Sequence, residues 1–338
     1  MDHDPKDILA GLPMAAILVG ADARVAQANA AALALLGRGV VGRHHGFALR
    51  QPEVLAAITA ALAGAAQTVV RQVLPGSSHD VVHRITVSPV GTGALCLFQD
   101  VSELEQSEQM RRDFVANVSH ELRTPLTALL GFIETLRGPA RDDAAARARF
   151  LTIMAAEAER MNRLVSDLLH LSRVEAQERQ RPATRHDLAA IIGQAVQNLR
   201  PLAEATGVAV STQGLDHPVP VLIDPDQMMQ VATNLIENAI NYGRAGKRIA
   251  VALALETGPR GPQARLDVTD FGQGFDPKHI PRLAERFYRI DGHRSREQGG
   301  TGLGLAIVKH IAHRHRGRLV IASAMGKGAT FSVILPAD

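Results

Sequence analysis

Cysteine is almost missing: Cys96 is the only one in 338 residues. A disulfide framework and a cysteine-based zinc site are therefore excluded within one chain, and a reducing compartment fits. Charge of one sign is also scarce. The net charge is +3, from 37 basic and 34 acidic side chains, with no dense Lys/Arg block. That speaks against direct nucleic-acid binding. Long apolar runs are lacking too. The best candidate, "ILAGLPMAAILVG" over residues 8–20, is too short to span a bilayer, contains Pro13 and lacks the basic flank of a signal peptide. The chain is expected to be soluble and cytoplasmic, and Met1 weighs mildly against a removed N-terminal anchor. The hydrophobic fraction is 46%, enough for packed cores, and the length suggests two or three domains.

Residues 8–101 read as a small α+β module. "MAAILVG" (14–20) is a short buried strand, "ARVAQANAAALALLG" (23–37) passes from strand to helix, and "PEVLAAITAALAGA" (52–65) is a helix. "TVVRQVL", "DVVHRITVSPV" and "GALCLFQDV" are alternating strands parted by Gly, Ser and Pro turns. From 102 to about 178 the apolar period becomes helical. Met110, Phe114, Val118, Leu122, Leu126, Leu129 and Ile133 form one stripe. Phe150, Met154, Met161, Leu164, Leu168 and Leu171 form a second, with Gly138 and Pro139 as breakers between them. A lone hairpin leaves such stripes uncovered, and pairing two hairpins into a four-helix bundle covers them, so a homodimer is expected. From Asp187, an expected N-cap, helices and strands alternate as one layer of helices on a mixed sheet. No internal repeat or low-complexity tail is present.

The chemistry lies in that last part. "DVTDFGQGF" places Asp270, Gly272 and Gly274 at the end of an apolar strand, where glycines allow close backbone approach and the carboxylate can be fixed against an exocyclic amine. "GGTGLGLAIVKHI" brings Gly300, Gly302 and Gly304 into a helix N-terminus, a phosphate site by its free amides and dipole. Either cluster alone reads equally as ordinary turns. Asn234, Asn238, Asn241 and Tyr242 fall at i, i+4, i+7 and i+8 of "NLIENAINYG". Asparagine is a poor helix former, so three on one face call for a polar ligand such as Mg²⁺ held beside phosphate oxygens.

"NLIENAINY", "DFGQGF", "RFYR" (286–289) and "GTGLGLAIVK", in that order, resemble the N, G1, F and G2 boxes of the histidine kinase ATP-binding domain, of the superfamily shared with gyrase, Hsp90 and MutL. "FVANVSHELRTPLT" resembles the phosphoacceptor H box, the 14–37 pattern resembles the PAS family, and the H-box region is most similar to the phosphate-regulon sensor kinases. The resemblance implies a PAS-like sensor domain (1–101), a helical dimerisation and phosphotransfer hairpin (102–180) and an α/β sandwich that binds ATP (181–338). It makes His120 the phosphoacceptor, with Glu121 supporting its attack and Thr124 serving dephosphorylation of a partner aspartate. Pro125 would kink the helix below the reactive site.

Asn238 is the implied Mg²⁺ ligand, with Asn234 beside it. Asp270 would meet adenine, Gly272 and Gly274 would admit the base, and Gly300, Thr301, Gly302, Leu303 and Gly304 would wrap the phosphates. Asn241 stands where many relatives carry lysine, a loss that an arginine of 286–296, such as Arg289, can make good. Tyr242 would lie along the nucleotide and Phe287 would anchor a mobile lid over 275–301. The implied activity is autophosphorylation of His120 from ATP, transfer to an aspartate on a separate response regulator, and phosphatase action on that regulator, in phosphate-starvation signalling. An ATP-binding adaptor without turnover is the alternative. His44, His45 and Cys96 read as surface and core residues respectively.

Overall fold

The computed structural model describes residues 5–74, 80–178, 180–259, 261–290 and 300–337. The chain forms two compact units, Met1–Ala116 and Asn117–Asp338. The division falls inside one long helix, α4 (Ser102–Arg137).

In the first unit α1 (Pro5–Ala10) precedes β1 (Ala15–Val19) and β2 (Val25–Ala28), followed by α2 (Ala30–Leu36), α3 (Pro52–Leu62), β3 (Thr68–Leu74), β4 (Val81–Val90) and β5 (Gly93–Asp100). The strands make one antiparallel sheet in the order β2-β1-β5-β4-β3. Alternation along β4 and β5 puts Ile85, Val87, Cys96 and Phe98 into a core with Ile17 and with Ile58 of α3. Asn29 ties the module together. Its buried side chain accepts from the Ala32 and Ala16 amides, at 2.9 and 3.1 Å, and donates to the Met14 carbonyl at 2.8 Å. It thus caps α2 and fixes the approach to β1 at once. Burial pushes the Cys96 thiol up to about 12, which agrees with a packing role.

The second unit begins with the hairpin. Gly138 and Pro139 end α4, and Asp143 starts α5 (Ala144–Gln177) by accepting from the Ala145 and Ala146 amides. The helices meet near the turn, where the Phe132 and Phe150 rings lie 5.3 Å apart. Pro125 is accommodated inside α4 and is buried. Leu164 and Leu171 of the expected stripes are buried, but Leu126 stays uncovered in the single chain, and so do Leu130, Leu151 and Leu169 outside the expected stripes, each more than half exposed. Among the described residues, no helix is long and apolar enough to cross a membrane.

The α/β layer contains α6 (Leu188–Ala205), α7 (Pro225–Tyr242) and α8 (Gly304–Arg314). They accompany a mixed sheet of β7 (Ala209–Gln213), β9 (Arg248–Gly258), β10 (Gly261–Asp270), β11 (Arg318–Ser323) and β12 (Ala329–Pro336), in the order β11-β12-β10-β9-β7. Only the β7–β9 pair is parallel among these. Asp187 caps α6 as expected. One strand stands apart from this single sheet: β8 (Pro220–Leu222) pairs with β6 (Arg185–Asp187) in a separate two-stranded ribbon. Asp187 sets this up, since its carboxylate also accepts from the Val219 amide at 2.9 Å.

Candidate functional site

The asparagine face of α7 forms one wall of a cavity of about 790 Å³. Leu235, Ile236, Ala239 and Ile240 on the other side of α7 are buried in the core, so Asn234, Asn238, Asn241 and Tyr242 are turned toward the cavity by amphipathic spacing. Asp270, at the end of β10, forms the far wall and is 4% exposed. Burial pushes its carboxyl above the usual range, opposed by the Gly272 and Ala329 amides. The Gly272 amide donates to it at 2.9 Å. Gly274, Arg289, Gly300, Thr301, Gly302 and Gly304 complete the lining.

Two glycines are required by the backbone. Gly302 has φ +75°, and a Cβ there would stand 3.0 Å from the Phe287 Cα. A Cβ at Gly272 would stand 2.5 Å from the Tyr242 carbonyl oxygen. Gly272, Phe287 and Leu303 therefore shape the wall from behind. The Phe287 amide donates to the Gly302 carbonyl at 2.8 Å, and Leu303 is fully buried at the entry to α8.

A nucleotide fits these groups. The Asn234 side-chain nitrogen is buried without a partner, and a Cβ at Gly304 would lie 3.3 Å from the Asn234 oxygen. The glycine at the start of α8 thus leaves a cradle beside an unmet donor, at the positive end of a helix. Asn241 accepts from Arg244 at 3.2 Å, and Arg244 lines the cavity with Arg289. Arg289 lies within the expected 286–296 range and Arg244 does not. Residues 291–299 of the expected lid lie outside the described residues.

One wall was absent from the sequence reading. Arg163, Ser166 and Asp167 of α5 line the same cavity. The Thr301 hydroxyl donates to Asp167 at 2.6 Å. Burial pushes the Asp167 carboxyl up, against the Thr301 hydrogen bond, His170 and Arg163. Glu237 of α7 is raised chiefly by burial and further by Asp167, against Arg163. Further along α5, Glu175 pairs with Arg286, and Glu178 stands 3.4 Å from the His310 ring on α8.

His120, Glu121 and Thr124 lie on α4 and are not cavity-lining residues. The His120 side chain is exposed. Thr124 donates to the His120 carbonyl at 3.1 Å, bonding back one turn. Glu121 turns away from the imidazole, as sequential helix residues do. Its carboxylate meets Arg160 of α5 at 2.6 Å and lies 3.9 Å from Arg289. Arg289 also donates to the Gly300 carbonyl, so one arginine links the histidine-bearing helix to the glycine-rich wall.

Residues 110–177 match the family model of the His Kinase A (phospho-acceptor) domain, and residues 223–338 match that of the histidine kinase-, DNA gyrase B- and HSP90-like ATPases. The phosphate regulon sensor protein PhoR of Pseudomonas aeruginosa is 43% identical over 242 residues, covering 70% of this chain and 53% of that protein. The chain belongs to the sensor histidine kinases. The sensor protein kinase WalK of Staphylococcus aureus is 38% identical over 250 residues, covering 73% of this histidine kinase and 59% of the relative. The chain thus spans between half and three-fifths of these relatives' lengths. Among solved structures, histidine kinase ThkA in complex with the response regulator protein TrrA is similar in fold, with TM-score 0.52, 20% identity and 99% of each chain covered.

Proposed function

We propose that this chain is a homodimeric protein-histidine kinase that phosphorylates its own His120 from ATP and passes the phosphoryl group to an aspartate on the receiver domain of a separate response regulator. The observation that carries this reading is the convergence of the asparagine face, buried Asp270 and the glycine-rich start of α8 on one cavity, in a chain whose preceding helix bears the exposed His120. Residues 1–101 would be a PAS-like sensor, 102–180 the dimerisation and phosphotransfer domain, and 181–338 the catalytic domain, in a cytoplasmic setting. The half-exposed leucines of α4 and α5 would meet a second copy as a four-helix bundle.

Asp270 would accept from the adenine amine, with Gly272 and Gly274 admitting the ring and Tyr242 beside it. Asn238, supported by Asn234, would hold Mg²⁺ through its side-chain oxygen. Gly300, Thr301, Gly302, Leu303 and Gly304 would offer backbone amides to the phosphates, with Asn241, Arg244 and Arg289 along the chain of charge and Phe287 bracing the wall. Bound ATP and Mg²⁺ supply the γ-phosphoryl group and part of the charge neutralisation its transfer needs. A neutral His120 ring nitrogen attacks, and the bond to the ADP oxygen breaks. Glu121, released from Arg160, would take up the proton on the other ring nitrogen. Thr124, freed from the His120 carbonyl, would orient water on the phosphorylated regulator, giving phosphatase activity. The likeness to PhoR supports phosphate-starvation signalling as the setting.

Incubation with γ-labelled ATP should give acid-labile label on the wild-type chain and none on His120→Gln. Label that persists in His120→Gln, or that is acid-stable, would reject the assignment.

A further inference from the structure

The first unit carries a one-signed surface that the kinase chemistry does not use. No Asp or Glu occurs between Asp22 and Glu53, while Arg24, Arg38, Arg43 and Arg50 all fall in that interval. Among the described residues, none of these four pairs with a carboxylate, whereas Arg71 on β3 is matched by Glu105. The segment after α2 lies along the start of β2, bonded to Val25 and to Ala23 just before it, and its outer side is open: a Cβ added at Gly37, Gly39 or Gly42 would meet nothing within 4 Å. Val40 and Leu49 anchor the segment in the core, and His45, expected at the surface, is buried with them, but two apolar side chains between these anchors point outward. Val41 is 47% exposed and Phe47 is 51% exposed.

Contacts tie Arg24, Arg43 and Phe47 to this one loop. Arg24 donates to the Gly42 carbonyl at 2.9 Å, and its backbone bridges to His44. The Arg43 guanidinium lies 4.2 Å from the Phe47 ring centroid. Loop and strand are therefore held together, with β2 an edge strand of the sheet. The opposing charge nearby is Asp22, which is turned to the Arg24 amide.

We propose that this loop docks the first unit on an anionic lipid surface, with Arg24, Arg38 and Arg43 at the headgroups and Phe47 and Val41 entering the interface. Aromatic and aliphatic tips flanked by arginines are the composition of an interfacial contact. A protein partner requires a broad complementary face, typically about 800 Å² per side, and this loop offers two separated apolar tips. Dimerisation would present two such loops and raise the avidity.

The sequence contains no tryptophan, so Phe47→Trp in the full chain provides a single fluorescent reporter. Vesicles of phosphatidylcholine with phosphatidylglycerol should shift its emission to the blue and pellet the protein, and phosphatidylcholine alone should do neither. Arg43→Glu should weaken vesicle binding about tenfold or more, since each arginine near an anionic leaflet contributes roughly fivefold. Raising the salt should release the protein. Wild-type pelleting, measured alongside, guards against a reporter substitution that disturbs the loop. Absence of pelleting of the wild-type chain with anionic vesicles overturns the proposal. So does a response to polyglutamate with none to vesicles, which would assign the patch to an acidic protein segment.

Discussion

The Thr301 hydroxyl hydrogen-bonds the Asp167 carboxylate at 2.6 Å, joining the glycine-rich segment before α8 to helix α5 of the hairpin. Asp167 is a carboxylate made costly by burial, on the wall of a cavity suited to phosphates. Asp167→Asn keeps an acceptor for Thr301 and removes the negative charge. ADP affinity, measured by calorimetry, is expected to rise roughly threefold or more as repulsion is relieved. An unchanged affinity would mean that the bound phosphates do not feel this charge.

Asp270 is held by two backbone amides and is nearly inaccessible. A hydrogen bond from an adenine amine to this carboxylate would be charge-assisted, worth about 1.5–3 kcal/mol. Asp270→Ala is therefore expected to weaken ADP binding by roughly 10- to 100-fold while the far-UV circular dichroism stays that of the wild type. Retained affinity in a folded variant would remove Asp270 from the site.

How legible was this in the sequence? The asparagine face of α7 could be read because helical spacing and a poor helix former disagree, and that disagreement marks a ligand. Asp270 and its glycines could be read because an apolar strand stops there. In the first unit, alternation and Gly/Pro punctuation were enough for the element order. The α5 wall was not legible, because Asp167 and Thr301 meet across 134 residues and nothing local announces it. In retrospect Arg160, Arg163 and Asp167 follow helical spacing on a polar face beside Leu164, Leu168 and Leu171, a weak signal for a second contact. The β6–β8 pairing escaped because β6 is too short to show a period, and its register is set by Asp187 bonding to Val219.

Glu121 sits between two arginines, partly exposed and turned away from His120. If it serves His120, Arg160 competes for it. Glu121→Gln is expected to slow autophosphorylation by at least about tenfold, in the range of general-base contributions. Arg160→Ala is expected to speed it, and the double variant should match Glu121→Gln, because the arginine then has nothing to withhold. Single-turnover labelling rates decide this. An Arg160→Ala effect that survives in the Glu121→Gln background would break the link.

His315 joins the end of α8 to the start of α7 through both ring nitrogens. Nδ1–H donates to the Ile311 carbonyl at 2.7 Å, and Nε2 accepts from the Asp224 amide at 3.0 Å. Only the neutral ring can do both, and burial lowers its pKa below the ordinary 6.5. The sign follows: the unfolded chain takes up this proton first. The contribution is complete above pH 6.5 and is lost as pH falls below it toward the folded value. Asp224 is separate, because the Arg314 hydrogen bond, working against burial, holds its carboxyl below the usual range, so its loss belongs to more acid conditions. Unfolding free energies from urea titrations are therefore expected to be flat across neutral pH and to decline below it by on the order of 1 kcal/mol per pH unit. His315→Gln should lower the neutral plateau and flatten the decline. A slope that persists unchanged in His315→Gln would assign the acid sensitivity to other groups.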